Sequence, residues 1–465
     1  MNTKQYILAA ALGMFALTGC KKELDLAPTD TFTEANAFLN MDDATYETNA
    51  IYARYASAYL NDIYASTVAS DEAKLGAGNA GQGALEYRLQ YTADDNTSSV
   101  VTSAWGAYYY MIDQANRVLS RIDEIPSATP ADDATKTRYK GEAMALRAIG
   151  HYELLRNYAG NYDPSALGVP VMTSNQTYAF PARNTMGEVM TQIETDLSTA
   201  KTMVATANSG SYSDTAINNI IVAGFQARVA LYKGDFDAAI NYATEVINSG
   251  IRPLDGGSFP LIWTDQSQAE LLFRYRFATS TALGSIFTTT GNSIYFAPSD
   301  KLIDSYDAGD IRPDSYFASL GGNNLVYKYY ISPRGGRVVD LKAMRTAEMY
   351  LIRAEAYARK AAPDVAAGAA DLNALRAQRI VGYTDETFTS ASALLDAVIL
   401  ERYKELCFEG FRFYDLKRLG LPLQRSSTDA APAWQSLDAN SFRFVFPIPN
   451  SEMLVNKQMV QNPGY

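Results

Sequence analysis

Apolar and aromatic side chains recur at helical spacing over long stretches of this chain. Between residues 43 and 60 they fall at Ala50, Ile51, Tyr55 and Ala58, and between 100 and 125 at Trp105, Tyr108, Ile112, Ala115, Leu119 and Ile122. A period near 3.6 residues predicts amphipathic helices in both places and again over 137–158. The clearest repeat is 216–250, AINNIIVAGFQARVALYKGDFDAAINYATEVINSG. Small Ala227, Ala239 and Ala243 let two helices approach, Leu231 and Tyr232 fill between them, and Gly234 permits the turn, which is a tetratricopeptide-type arrangement. Residues 346–379 look like a second copy, with Ala354, Ala356 and Tyr357 in one helix and Leu372, Leu375 and Arg376 in the next. A less regular third, over 138–200, is interrupted by the loop NYDPSALGVPVMTSNQTYAFP.

The pattern changes between 251 and 340. Gly, Ser, Thr and Tyr dominate, and the apolar runs LLFRYRF and NLVYKYY are short and β-like. That composition predicts loops with a few strands, where binding residues usually sit. The expected fold is therefore mainly α, tetratricopeptide-type helix pairs with a loop-rich region carrying short β-strands.

The N-terminus changes the expected location. MNTKQYILAAALGMFALTGC has a single charge, an apolar run from Tyr6 to Leu17 and small residues before Cys20. It reads as a secretory signal peptide, too short for an ordinary span, ending in a lipobox-like Leu-Thr-Gly-Cys. Cleavage would expose Cys20 for lipidation, and the acyl chains would anchor the mature protein. With Cys20 acylated only Cys407 remains, so no intrachain disulfide is expected. The net charge of −11, without a basic run, argues against nucleic acid and against electrostatic adhesion to anionic lipid. Tyrosine is unusually abundant, 32 residues against 19 Phe and 3 Trp, which suits both helix packing and stacking on sugar rings.

Five segments in order carry a family resemblance: the lipobox followed by KKELDL, GEAMALRAIGHYELLRNYAG with its following VP step, MRTAEMYLIRAEAYAR, ERYKELCFEGFRFYDLKRLG, and FPIPNSEMLVNKQMVQNPGY. Together they resemble the SusD/RagB family of nutrient-binding outer-membrane lipoproteins. The resemblance implies a cell-surface position, no enzymatic activity, and lid-like association with a SusC-like TonB-dependent β-barrel transporter. The cargo it implies is first a glycan, with peptide as the alternative. The organisation expected is a signal peptide at 1–19 and a lipidated tether at 20–33, then one body from residue 34. Within that body lie an N-terminal helical region (34–225), the repeat unit (216–250), a loop-rich ligand-facing region (251–340) and a C-terminal helical region (341–465). Two other readings remain open: a tetratricopeptide scaffold for envelope proteins, and a surface glycan hydrolase.

Chemistry-bearing motifs are few. Gly76-Ala-Gly-Asn-Ala-Gly81 matches GxGxxG by letter, but the phosphate-binding form needs a strand before it and a helix N-terminus after it. A flexible loop rimming a binding surface fits better. One histidine, His151, excludes a zinc site of two histidines, and its mid-helix position suggests packing. Arg402, Glu405, Glu409, Arg412 and Asp415 recur at three- and four-residue spacing, so they are expected to pair along one helix that also buries Cys407. No cofactor is expected. Asp304, Asp307 and Asp310 offer oxygen ligands for calcium, against a loop braced by Asp310 and Arg312.

Glycan-binding members of the resembled family use an arc of aromatic rings with a few polar side chains. Two stretches here have that composition. Asp71, Arg88, Tyr91 and Asn96 are the candidates in 71–105, and Tyr295, Tyr316, Tyr327 and Tyr329 in 275–335. Trp105 follows the first loop directly and joins the candidates, although its spacing suggests core. Trp263 and Trp434 fit either role.

Overall fold

Asn40 opens the first long helix. Its side chain accepts from the backbone N–H of Asp42 and Asp43 while Asp43 reaches back, a capping box that satisfies donors the helix cannot. The computed structural model describes residues 38–176, 179–207 and 212–465, so the expected signal peptide, Cys20 and the tether lie outside the described residues. In chain order the principal elements are α1 (Met41–Ala69), β1 (Ala73–Leu75), α2 (Ser99–Arg121), α3 (Pro130–Tyr158), α4 (Met186–Ala207), α5 (Asn219–Lys233) and α6 (Phe236–Asn248). The short strands β2 (Leu271–Tyr275), β3 (Phe296–Pro298), β4 (Phe317–Leu320), β5 (Asn323–Val326) and β6 (Leu341–Arg345) follow. The chain closes with α7 (Thr346–Arg359), α8 (Val365–Ala377), α9 (Ala391–Glu405) and α10 (Arg412–Leu419).

Each long helix packs on the next from α1 to α9, as stacked helix pairs do. The repeat signals hold. Gly234 sits at φ +85° between α5 and α6, where a residue with a Cβ is disfavoured, and α7–α8 form the second pair. The first helix runs nine residues beyond the expected end because Ile63, Ala65, Val68 and Ala69 are buried on all sides, so no amphipathic period marks that stretch. No helix among the described residues is long and apolar enough to cross a membrane.

The strands form two-stranded antiparallel pairs, β1 with β3, β2 with β6 and β4 with β5. The GxGxxG-like segment extends the first pair. The N–H groups of Gly76 and Gly78 donate to the carbonyls of Tyr295 and Ile294, both at 2.9 Å. A Cβ on Gly76 would lie 2.2 Å from the Ile294 carbonyl oxygen, so this glycine serves backbone contact.

The expected single helix over 402–416 is broken. α9 stops at Glu405, Phe408 takes φ +63° and Gly410 φ +87°, and α10 starts at Arg412. The charges therefore do not pair along one helix, and Cys407 lies in the turn. Glu405 and Glu409 instead enter a buried cluster. Arg312, Arg345, Arg376, Arg379 and Lys328 face Asp310, Glu270, Glu401, Glu405 and Glu409, five cations against five carboxylates. Burial alone would raise the pKa of Glu405. Arg379, Arg345 and Arg312 outweigh it and hold the carboxyl well below its usual range.

The two ends of the chain are sewn together. Tyr59 donates to the Glu409 carbonyl at 3.0 Å, Tyr87 to the Asp429 carbonyl at 2.6 Å, and Arg425 Nε to the Ser70 carbonyl at 2.8 Å.

Candidate functional site

Burial divides the expected ligand contacts into two groups. Tyr316 and Tyr329 are inside, correcting their assignment as contacts. Tyr316 meets the buried Trp263 ring edge-on at 5.2 Å, and Tyr329 stacks on Phe287 at 5.7 Å. Lys328 Nζ lies 4.1 Å above Trp263 and 4.0 Å above Tyr316, and donates to Glu409 at 2.8 Å. These rings wall the ionic cluster from water, so Trp263 is core.

Asp71 and Tyr91 are also interior, and neither can meet a ligand. Asp71 accepts from Arg412 at 2.7 and 2.9 Å and from Lys301 at 2.7 Å. Tyr91 donates to the Arg443 carbonyl and packs edge-on against Phe446. Asn96 is exposed in a turn closed by the Asp94 carboxylate. Its neighbour Asp95 accepts from Ser451 N–H at 2.9 Å, which places this loop beside the short helix Asn450–Val455.

The remaining candidates stay at the surface. Tyr327 and Tyr295 are half-buried, and Tyr327 lies 5.9 Å from Tyr330, ring to ring, at 32°. The β4–β5 hairpin positions this pair, its apolar side resting on Ile294 and Ala297 of the neighbouring segment. Polar groups surround it. Tyr330 Oη donates to Asn292 Oδ1 at 3.1 Å, Arg337 lies 5.6 Å from the Tyr330 ring, and Asn79 donates to the Tyr295 carbonyl. Arg88 stacks at 4.6 Å on Trp434, both partly exposed. Sequence reasoning passed over Tyr330, Asn292 and Arg337. The YKYY run contained the signal for the first, and nothing local marked the other two.

Among the described residues no group of three His, Cys, Asp or Glu could hold a metal. Asp310 is taken by Arg312 at 2.6 Å and Asp307 by Lys404 at 2.9 Å, while Asp304 is exposed, so the three calcium candidates do not converge. The braced loop expected for Asp310 and Arg312 is what the structure has. Cys407 is buried and its thiol is pushed up to about 12 by burial. His151 is buried, with its pKa pulled down to about 4 by burial, and its Nε2 accepts from Met172 N–H at 3.0 Å. It is a packed, neutral residue.

Trp105 is 5% exposed, packed edge-on against Tyr109 at 4.9 Å and Tyr158 at 5.1 Å. It nevertheless borders a groove along α2 that shares no lining residue with the tyrosine face.

Two family models match the chain: the SusD family over residues 303–465, and "starch-binding associating with outer membrane" over 24–231. This chain belongs to the SusD family. Its SusD-like character extends over the full length. The chain is 24% identical to SusD-like protein P2 of Formosa agariphila, covering 99% of this chain and 100% of that protein. A SusD superfamily protein from Bacteroides vulgatus superposes with a TM-score of 0.80 at 24% identity, covering 92% of this chain and 100% of that one. A laminarin-binding SusD-like protein superposes at 0.69 and 20% identity, covering 92% and 100%. The SusD fold, tetratricopeptide-like and helical, is thus the one built above. The family names tie such proteins to sugar and to the outer membrane.

Proposed function

We propose that this SusD-like protein captures an oligo- or polysaccharide at the cell surface and delivers it uncleaved to a SusC-like TonB-dependent transporter. The lipidated Cys20 would hold it to the outer membrane. The observation that carries the reading is the pair Tyr327 and Tyr330, half-buried at the surface and backed by the β4–β5 hairpin, with Tyr295, Asn292 and Arg337 around it. A pyranose has an apolar C–H face that an aromatic ring desolvates, and hydroxyls that amides and guanidinium groups read. A laminarin-binding relative of the same fold supports a glycan as cargo.

The test uses soluble protein beginning after Cys20, run through native gels containing laminarin, starch or other polysaccharides. One stacked ring contributes about 0.5–1.5 kcal/mol, so Tyr327→Ala should weaken retention by ~2–10-fold and Tyr327→Ala with Tyr330→Ala should abolish it. Equal retention of the double variant removes this face from the proposal. Release of new reducing ends from the retained glycan would replace capture with hydrolysis. Pull-down of a TonB-dependent β-barrel from detergent-solubilised membranes tests delivery, and recovery of no such barrel counts against it.

A further inference from the structure

We propose that the groove on α2 is a second saccharide-binding subsite, separate from the tyrosine face; it rests on the capture reading above. The groove holds about 370 Å³, within the range of small-molecule sites, and shares no lining residue with the Tyr327–Tyr330 surface. Trp105, Tyr109 and Tyr110 form one wall, and Pro170, Met172 and Pro181 the other.

Trp105, Pro170 and Met172 are each held in place by neighbours. Trp105 is wedged between Tyr109 and Tyr158. Tyr109 donates to the Pro170 carbonyl at 2.9 Å, Asn116 to the Met172 carbonyl at 3.1 Å, and Met172 N–H to His151 at 3.0 Å. A preformed cleft binds without first ordering its own side chains, a cost that shallow mobile surfaces bear.

Gly106 points to an occupant. Glycine in a helix interior costs about 1 kcal/mol relative to alanine. The other glycines inside long helices have a reason within the protein: a Cβ at Gly141 would lie 2.8 Å from Val204, at Gly150 2.8 Å from Ile112, and at Gly224 2.2 Å from Met344. A Cβ at Gly106 would meet nothing within 4 Å, and Gly106 lines the groove. Its missing side chain leaves room for a flat ring to lie against the helix backbone between Trp105 and Tyr110.

The polar groups suit a neutral, hydroxyl-rich ligand. Asp113 is paired with Arg117 at 2.9 Å, and Glu452 accepts from Asn456 through one oxygen only. Gln176 lines the groove and donates to Ser174 at 3.0 Å. With two carboxylates against one guanidinium the lining does not attract an anion, and amide and carboxylate oxygens accept from sugar hydroxyls. Half of the Tyr110 surface is exposed, beside an Arg54 guanidinium stacked at 4.0 Å.

The three tryptophans make the test specific: Trp105 reports the groove, Trp434 stands beside Arg88, and buried Trp263 serves as the control. Soluble protein carrying fluorotryptophan is titrated with laminaritetraose and maltotetraose, following the three ¹⁹F signals. The Trp105 signal should shift saturably while Trp263 stays fixed. Tyr327→Ala should leave that shift in place. Gly106→Phe should weaken the response more than tenfold with unchanged thermal stability, and Tyr110→Ala should weaken it as well. A Trp105 signal that stays still while the gels show retention overturns the subsite and leaves the capture reading standing. An undiminished Trp105 shift in Gly106→Phe overturns it too. Absence of binding in both titration and gels overturns the capture reading itself and this subsite with it.

Discussion

Replacing Glu405 with glutamine tests how the buried ionic cluster holds the molecule together. The carboxylate accepts from Arg345 at 2.7 Å, from Arg379 at 3.0 and 3.1 Å and from Arg312 at 3.2 Å. Glutamine keeps the shape, removes the charge, and turns an NH2 group toward guanidinium donors. Breaking a buried ion pair costs about 3–5 kcal/mol because the remaining charge is stranded. Here each arginine keeps another carboxylate: Arg345 has Glu409, Arg379 has Glu270, and Arg312 has Asp310 and Glu401. The loss should therefore fall near the lower end, about 3 kcal/mol. Glu386→Gln is the matched control. Glu386 contacts Arg376 at 2.8 Å but its side chain is 54% exposed, so its removal should cost less than about 1 kcal/mol. Urea unfolding at pH 7.5, followed by fluorescence and circular dichroism to confirm a single transition, gives both numbers. A Glu405→Gln loss no larger than that of Glu386→Gln would refute the reasoning.

Two further outcomes follow from buried titratable groups. Burial raises the pKa of Glu72 from its usual 4.5 to about 7, and its Oε2 has no hydrogen-bond partner. The folded state then binds more protons than the unfolded one between pH 4.5 and 7, so this group makes stability fall as pH rises through that window, by on the order of 3 kcal/mol. Glu72→Gln should flatten that part of a stability–pH curve, leaving the slope from Glu153, which is also raised to about 7; an unchanged curve contradicts the assignment. The Cys407 thiol, buried and pushed up to about 12, should react with an aromatic disulfide reagent only as fast as the protein unfolds, and rapid labelling of native protein would show otherwise.

The helix pairs were legible because their evidence is local. Alanines at packing positions and Gly234 at a turn are set by neighbours a few residues away. The broken helix near 406–411 was not. Three- and four-residue charge spacing fits intrahelical pairing equally well, and the true partners of Glu405 lie 26 to 93 residues away. Tyrosine posed the same difficulty on a smaller scale. Tyr327 and Tyr329 stand two apart in one 3-10 turn, yet one is half-buried at the surface and the other is 1% exposed against Phe287. Composition marked 275–335 as the ligand-facing stretch, and of its four tyrosine candidates Tyr295 and Tyr327 remain at the surface. Asp71 failed for a different reason: polar loop context suggested a contact, and only the fold brings Arg412 to it from 341 residues away.

The stitching of the two chain ends bears on when the protein can fold. Tyr59, Tyr87 and Ser70 find their partners at sequence separations of 342 to 355 residues. Loop-closure entropy must be met before such contacts form, and contacts this remote slow folding. The N-terminal helix pairs can assemble early, but α1 stays without its final partners until the last quarter of the polypeptide has been made. A nascent chain would therefore remain incomplete and open to proteases or holding chaperones until synthesis ends. Truncation before about residue 409 should yield a species that is helical yet lacks the cooperative transition of the whole.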